Sequence, residues 1–161
     1  MNKKVIISRC ILGEYCRYDG KTKKISEVVE AFEGWQIIPF CPEAPVFGTP
    51  RQRIDVVQVV DKQRILKHNT KEDVTSLLEE EIEKFLANNP EADCIVLKSK
   101  SPSCGLNTTP VLDPNNQELY KGSGIGAKML RKHFFNTPFY DEHTLFNSQN
   151  GKEVLQQDHT K

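Results

Sequence analysis

Short apolar runs alternate along the chain with stretches whose apolar residues recur every three or four positions, the pattern of strands separated by helices. Val5-Ile-Ile-Ser8 is a β-branched run suited to a buried strand. Trp35-Gln-Ile-Ile-Pro-Phe40 reads as a second strand, with Pro39 near its end. Between them, residues 26–32 carry a serine cap signal and helical spacing, and Gly34 stops the helix. Residues 54–60 alternate weakly and read as a strand at a sheet edge, running into a turn at Asp61 and Lys62. Asp73 or Thr75 caps a long helix to about Asn88, with Leu77, Leu78, Ile82, Phe85 and Leu86 on one face and Pro90 beyond its end. Cys94-Ile-Val-Leu97 is the next strand. A long loop follows, then a helix over 125–135 and a last strand over 137–140. The polar tail 147–161 predicts a frayed helix or disorder, leaving one domain over 1–146. Strands alternating with helices predict parallel pairing through crossover helices. The expected class is α/β: a mostly parallel sheet flanked by helices, a Rossmann-like three-layer sandwich.

Charge and hydropathy narrow the partners. Lys+Arg and Asp+Glu both count 22, so the 161-residue chain has no formal net charge. Binding to DNA or RNA draws largely on phosphate neutralisation, so an intact nucleic acid is not the expected partner. No apolar run approaches the roughly 20 residues of a membrane helix. The first residues hold two lysines but too few apolar positions for a secretory signal. A cytoplasmic location is therefore expected.

The five cysteines are an odd number and contain no Cys-x-x-Cys pair, which argues against a disulfide framework and the usual zinc-ribbon or thioredoxin spacings. Their placement is more informative. Cys10 comes just after the first strand, Cys41 directly after the second, and Cys104 in the loop after the fourth. The carboxyl ends of parallel strands share one edge of a sheet, and ligands bind there. Three thiols far apart in sequence are thus expected to converge. Free cysteine is also a common buried small hydrophobe. That reading holds for Cys94, at the start of an apolar strand.

Three segments carry further chemistry: Cys10-Ile-Leu-Gly-Glu-Tyr-Cys16-Arg-Tyr-Asp-Gly20, Cys41-Pro-Glu43, and Ser99-Lys-Ser101-Pro-Ser103-Cys104-Gly105. Together with Thr49-Pro50-Arg51 they resemble the thiouracil desulfidase family, over residues 4 to about 134. The resemblance implies a [4Fe–4S] cluster bound by Cys10, Cys41 and Cys104, with the fourth iron left for the sulfur of a thiolated pyrimidine. It implies an acid/base role for Glu43 and a small-molecule substrate. The implied activity is water-dependent, non-redox desulfuration of 2- or 4-thiouracil to uracil and hydrogen sulfide. Cys16 reads as a neighbour of the cluster.

The chemistry of the donor set agrees, because soft thiolates select iron–sulfur clusters and three of them leave one iron unsaturated. Glu43, two residues past Cys41, projects to the same side as that thiol if the loop is extended. A carboxylate at a helix start is the plainer alternative. Ser101 and Ser103 flank Pro102, where their hydroxyls orient substrate or water, bond cluster sulfurs, or simply form a turn. Ser101 is the favoured one. Arg51 holds an anion or a substrate carbonyl, or else makes a solvated salt bridge. Residues 17–20 read as a structural turn. Gly122-Ser-Gly-Ile-Gly126 lacks the spacing of either common nucleotide fingerprint and reads as a loop-to-helix turn. The four histidines show no ligand spacing. The competing function is a non-catalytic iron–sulfur protein for electron transfer or redox sensing, with Cys16 as the fourth ligand. A zinc-binding or nucleotide-binding module is the third.

Overall fold

A computed structural model describes residues 3–13, 25–48, 50–149, 151 and 153. In chain order its elements are β1 (Lys4–Ser8), α1 (Ser26–Ala31), β2 (Gln36–Phe40), α2 (Glu43–Phe47), β3 (Ile54–Val59), β4 (Lys62–Lys67), α3 (Thr75–Asn88), β5 (Cys94–Leu97), β6 (Thr109–Leu112), β7 (Glu118–Gly122), α4 (Ile125–His133), β8 (Phe139–Asp141) and α5 (Thr144–Asn147).

Strands β2, β1, β5 and β8 pair in that order, all parallel. A parallel sheet covered on both faces needs apolar residues at every position, and Val5, Ile6 and Ile7 are all fully buried. Val5, Ile7, Cys94 and Val96 face Val28 and Phe32 of the α1 segment and Leu145 of α5. Ile6, Ile95 and Leu97 face Ile82 of α3 and Ala127 and Leu130 of α4. Helices on both faces make the α/β three-layer arrangement that alternation predicts.

A second sheet of four strands, ordered β4-β3-β6-β7, was not visible in the hydropathy pattern. Residues read as one long loop contain β6 and β7. β7 is exposed along most of its length and β4 buries only Ile65 fully, so neither carries an apolar signature. Turn geometry forms them instead. Val60 sits at φ 58° in the β3–β4 hairpin. At the β6–β7 turn, Asp113 Oδ1 accepts from the N–H groups of Asn115 and Gln117, and Asn116 lies at φ 67°. β3 is accordingly an interior strand, not an edge.

Helix α3 lies between the sheets. Leu78 packs with Val56 and Val111 of the second sheet, while Ile82 packs under the first. Leu77, expected on the buried face, is exposed because the two buried residues already divide the helix between two cores. Asp73 Oδ1 accepts the N–H of Thr75 at the start of α3. Ser26 opens α1 without a side-chain cap bond. Helix α4 ends two residues earlier than expected, and β8 runs 139–141. Leu145 of α5 packs onto the first sheet, and of the tail 147–161 residues 150, 152 and 154–161 lie outside the described ones. Among the described residues no helix is long and apolar enough to cross a membrane.

Candidate functional site

The carboxyl ends of β1, β2 and β5 stand level. Ser8 pairs in register with Phe40, and its Oγ accepts the N–H of Lys98 at 2.9 Å. The chain therefore leaves all three strands at one edge. After β1 it coils back on itself, with Ile11 N–H bonded to Ser8 O and Gly13 N–H to Cys10 O. After β2 comes Cys41 directly. After β5, Lys100 takes a positive φ of 65° and Ser101 organises a tight turn. The Ser101 hydroxyl oxygen accepts the N–H groups of Ser103 (3.1 Å) and Cys104 (3.0 Å), and its carbonyl accepts that of Gly105. Cys104 is thereby turned into the core, 5% exposed.

Cys10, Cys41 and Cys104 line one cavity of about 660 Å³, together with Glu43, Arg51 and Ser101. The second sheet contributes Asp55 and Glu118 to its wall. Burial pushes the Cys104 thiol up to about 12, with Ser8 and Ser101 opposing the rise and Cys41 and Glu43 adding to it. Among the described residues, no three Cys, His, Asp or Glu side chains close around a point that would hold a single metal ion. Three thiols lining one cavity are donors of the kind an iron–sulfur cluster takes, its irons binding separate thiolates. The donor set fits a cluster.

Glu43 does not sit in an extended loop. It is the first residue of α2, 8% exposed, and both its oxygens are occupied. Oε1 lies 3.2 Å from Arg51 Nη2, and Oε2 accepts the Ser103 hydroxyl at 2.8 Å. Arg51 Nη1 donates to Gly48 O at 2.9 Å, so one guanidinium ties both ends of α2. With its side chain 6% exposed, Arg51 makes a buried ion pair rather than a solvated one. Its Nε is buried and has no hydrogen-bond partner among the described residues. Ser103, 1% exposed, serves Glu43, whereas Ser101 is half-buried on the wall. Cys16, residues 17–20 and Thr49 lie outside the described residues.

The glycine-rich stretch before α4 braces the same turn. Ile125 and Ala127 N–H groups donate to Pro102 O and Ser103 O, and Gly124 N–H to Gly105 O. These orphan donors of the helix start are satisfied by loop carbonyls. A Cβ on Gly124 would fall 2.5 Å from the Ser103 carbonyl carbon, against backbone that has nowhere to move. Gly124→Ala is expected to cost about 2–3 kcal/mol through overpacking, read as a lower urea midpoint. An unchanged midpoint would show the contact to be slack.

Glu142 was missed from sequence, although it follows the last parallel strand and so belongs to the same edge. Its carboxylate accepts Ser99 N–H (2.8 Å), the Ser99 hydroxyl (2.8 Å) and Lys98 Nζ (2.7 Å). Burial raises this carboxyl, but the hydrogen bonds from Lys98 and Ser99 outweigh it and hold the group below its ordinary 4.5. A depressed carboxyl stabilises the fold above its unfolded pKa and loses that contribution as pH falls through its folded value. Glu142→Gln is thus expected to be about 2 kcal/mol less stable at pH 7. Urea titrations should show the gap closing below pH 4.5; a gap independent of pH would contradict this.

The profile of the 2-thiouracil desulfurase family matches residues 5–142. The chain is 28% identical over 136 residues to the uncharacterized protein YbbK of Bacillus subtilis (strain 168), covering 80% of this chain and 89% of that protein. Its fold is similar to the solved [4Fe-4S]-dependent thiouracil desulfidase TudS, with a TM-score of 0.72 and 25% identity over 95% of this chain and 99% of that one.

Proposed function

The chain belongs to the 2-thiouracil desulfurase family, and on that premise we propose that it converts thiolated uracil and water to uracil and hydrogen sulfide, without redox change, using a [4Fe–4S] cluster held by Cys10, Cys41 and Cys104. The observation that carries this reading is the single cavity shared by those three thiols and Glu43. The solved relative TudS is [4Fe–4S]-dependent, which supports the choice of cluster.

When bound, the cluster supplies a Lewis-acidic iron, free of protein thiolate, for the substrate sulfur. The rest of the work falls to the chain. Glu43 takes a proton from the water that attacks the ring carbon bearing sulfur. As the C–S bond breaks, that proton and the remaining water proton leave with the sulfur, and the water oxygen stays as the ring carbonyl. Arg51 and Ser103 hold the two oxygens of Glu43 so that the carboxylate meets water in one orientation. Ser101 presents its hydroxyl proton to the cavity, its oxygen being engaged by two N–H groups. The substrate is a small thiolated pyrimidine in the cytoplasm, in keeping with the balanced charge.

The test is anaerobic. Protein purified without oxygen is characterised by iron and sulfide counts and by visible and EPR spectra, then mixed with 2- or 4-thiouracil. Uracil and sulfide are expected in equal amounts. A full cluster with no sulfide released would refute the reading.

A further inference from the structure

We infer that Glu142 is a positioning residue of this site: from the end of β8 it holds Lys98 and Ser99, and so sets the 98–105 loop that carries Ser101, Ser103 and Cys104 along the cavity wall. The inference takes the cavity to be the site proposed above.

Sheet register puts Glu142 there. Leu97 of β5 pairs with Asp141 of β8, so the next residues, Lys98 and Glu142, stand side by side as the strands end. The Glu142 side chain is 6% exposed. A carboxylate so buried must have its lone pairs filled. Among the described residues the partners within hydrogen-bond distance are three donors from the first two residues of the loop, and the further cation, His143 Nε2, stands 3.7 Å away on an exposed ring. Carboxylate and loop start therefore require one another. The same two loop residues reach the cysteines' side of the sheet. Lys98 N–H bonds Ser8 Oγ, and Ser8 lines the cavity wall with Cys104. The α4 start holds the far half of the loop through Pro102 and Ser103. Glu142 holds the near half. Without it, the near half loses its charged anchor and keeps the bonds of Lys98 N–H to Ser8 Oγ and of Lys100 N–H to Thr108 Oγ1.

Glutamine is close in shape but places an NH2 group where an acceptor is needed, against the Lys98 ammonium or the donors of Ser99. In metal-free protein, iodoacetamide labelling is followed at each cysteine by mass spectrometry. Glu142→Gln is expected to speed Cys104 labelling about tenfold or more, as when charge-assisted bonds that close a local segment are lost. Cys94, buried within β5, serves as internal control: it opens only with the whole fold, so its labelling should climb steeply with added urea, whereas that of Cys104 in the variant should barely depend on it. Glu142→Asp, which retains the charge on a shorter stem, should fall between; it carries the same comparison where the glutamine variant does not fold. Cys104 labelling unchanged in both variants, or as steep in urea as that of Cys94, overturns the inference. Loaded Glu142→Gln should also lose about tenfold in kcat with thiouracil. Loaded wild type that releases no sulfide would remove the desulfuration reading, while the labelling comparison would still decide the role of Glu142.

Discussion

Alanine at position 10, 41 or 104 is expected to leave a folded protein that retains less than a quarter of the wild-type iron after anaerobic reconstitution, with sulfide release abolished. A cluster left with two of its three thiolates loses both ligand field and attachment, and metal-site affinity depends steeply on each deprotonated ligand. The effect on folding is smaller. Cys10 and Cys41 are partly exposed, so their truncation removes little packing, whereas Cys104 sits in the apolar cluster beneath the sheet and its loss should lower the urea midpoint. Cys94→Ala makes the contrast sharp. That thiol is fully buried on the opposite face of the first sheet, among Val96, Phe32 and Tyr140, and its variant should bind iron normally while losing some stability. Cys16→Ala should keep its iron as well. Iron loss there as complete as in Cys41→Ala would mean four protein ligands, and would replace the open-iron reading with an electron-transfer or sensing protein.

Glu43→Gln should lower kcat by about 10²–10⁴ while iron content and the visible spectrum stay near wild type and the urea midpoint falls, since Arg51 keeps a buried charge with no carboxylate opposite. Glutamine fills the same space. Its amide oxygen can still accept from Arg51, and the Ser103 hydroxyl can rotate to accept from its NH2 group, so the local structure has no reason to collapse. What disappears is a group able to take a proton from water, and general acid–base residues contribute on that order. Single-turnover sulfide release under anaerobic conditions reads the effect. A rate within threefold of wild type would remove Glu43 from the chemistry. Arg51→Met marks the difference between orientation and catalysis. It leaves a buried carboxylate with one partner, so it too should cost about 3–5 kcal/mol in stability, but it keeps the carboxylate and should lower kcat less than Glu43→Gln does.

Much of the first sheet was legible because its strands are buried on both faces. Val5-Ile-Ile and Cys94-Ile-Val-Leu97 could only be interior strands, and parallel connection then set Cys10, Cys41 and Cys104 at one edge. The second sheet was illegible for the converse reason. β4 and β7 are largely solvated, and their pairing is directed by the turns at Val60 and Asn116, which no hydropathy pattern records. Short-range reading placed Glu43 only in part. It shares the cavity with Cys41, as projection from an extended loop expected, but it does so from the first position of α2, the plainer alternative, where Arg51 and Ser103 hold it.

The sequence by itself determined the strand–helix alternation, the edge at which the cysteines gather and the thiol chemistry available there. Those follow from local periodicity and from the rule that parallel strands end together. Only the tertiary structure decided which groups hold which. Glu43 meets Arg51 and Ser103, Glu142 meets Lys98 and Ser99, and α4 closes on the Cys104 turn, all across separations of 8 to 60 residues. Such contacts arise from sheet register and burial, where a buried charge must find partners wherever the fold has brought them. No spacing along the chain encodes that outcome.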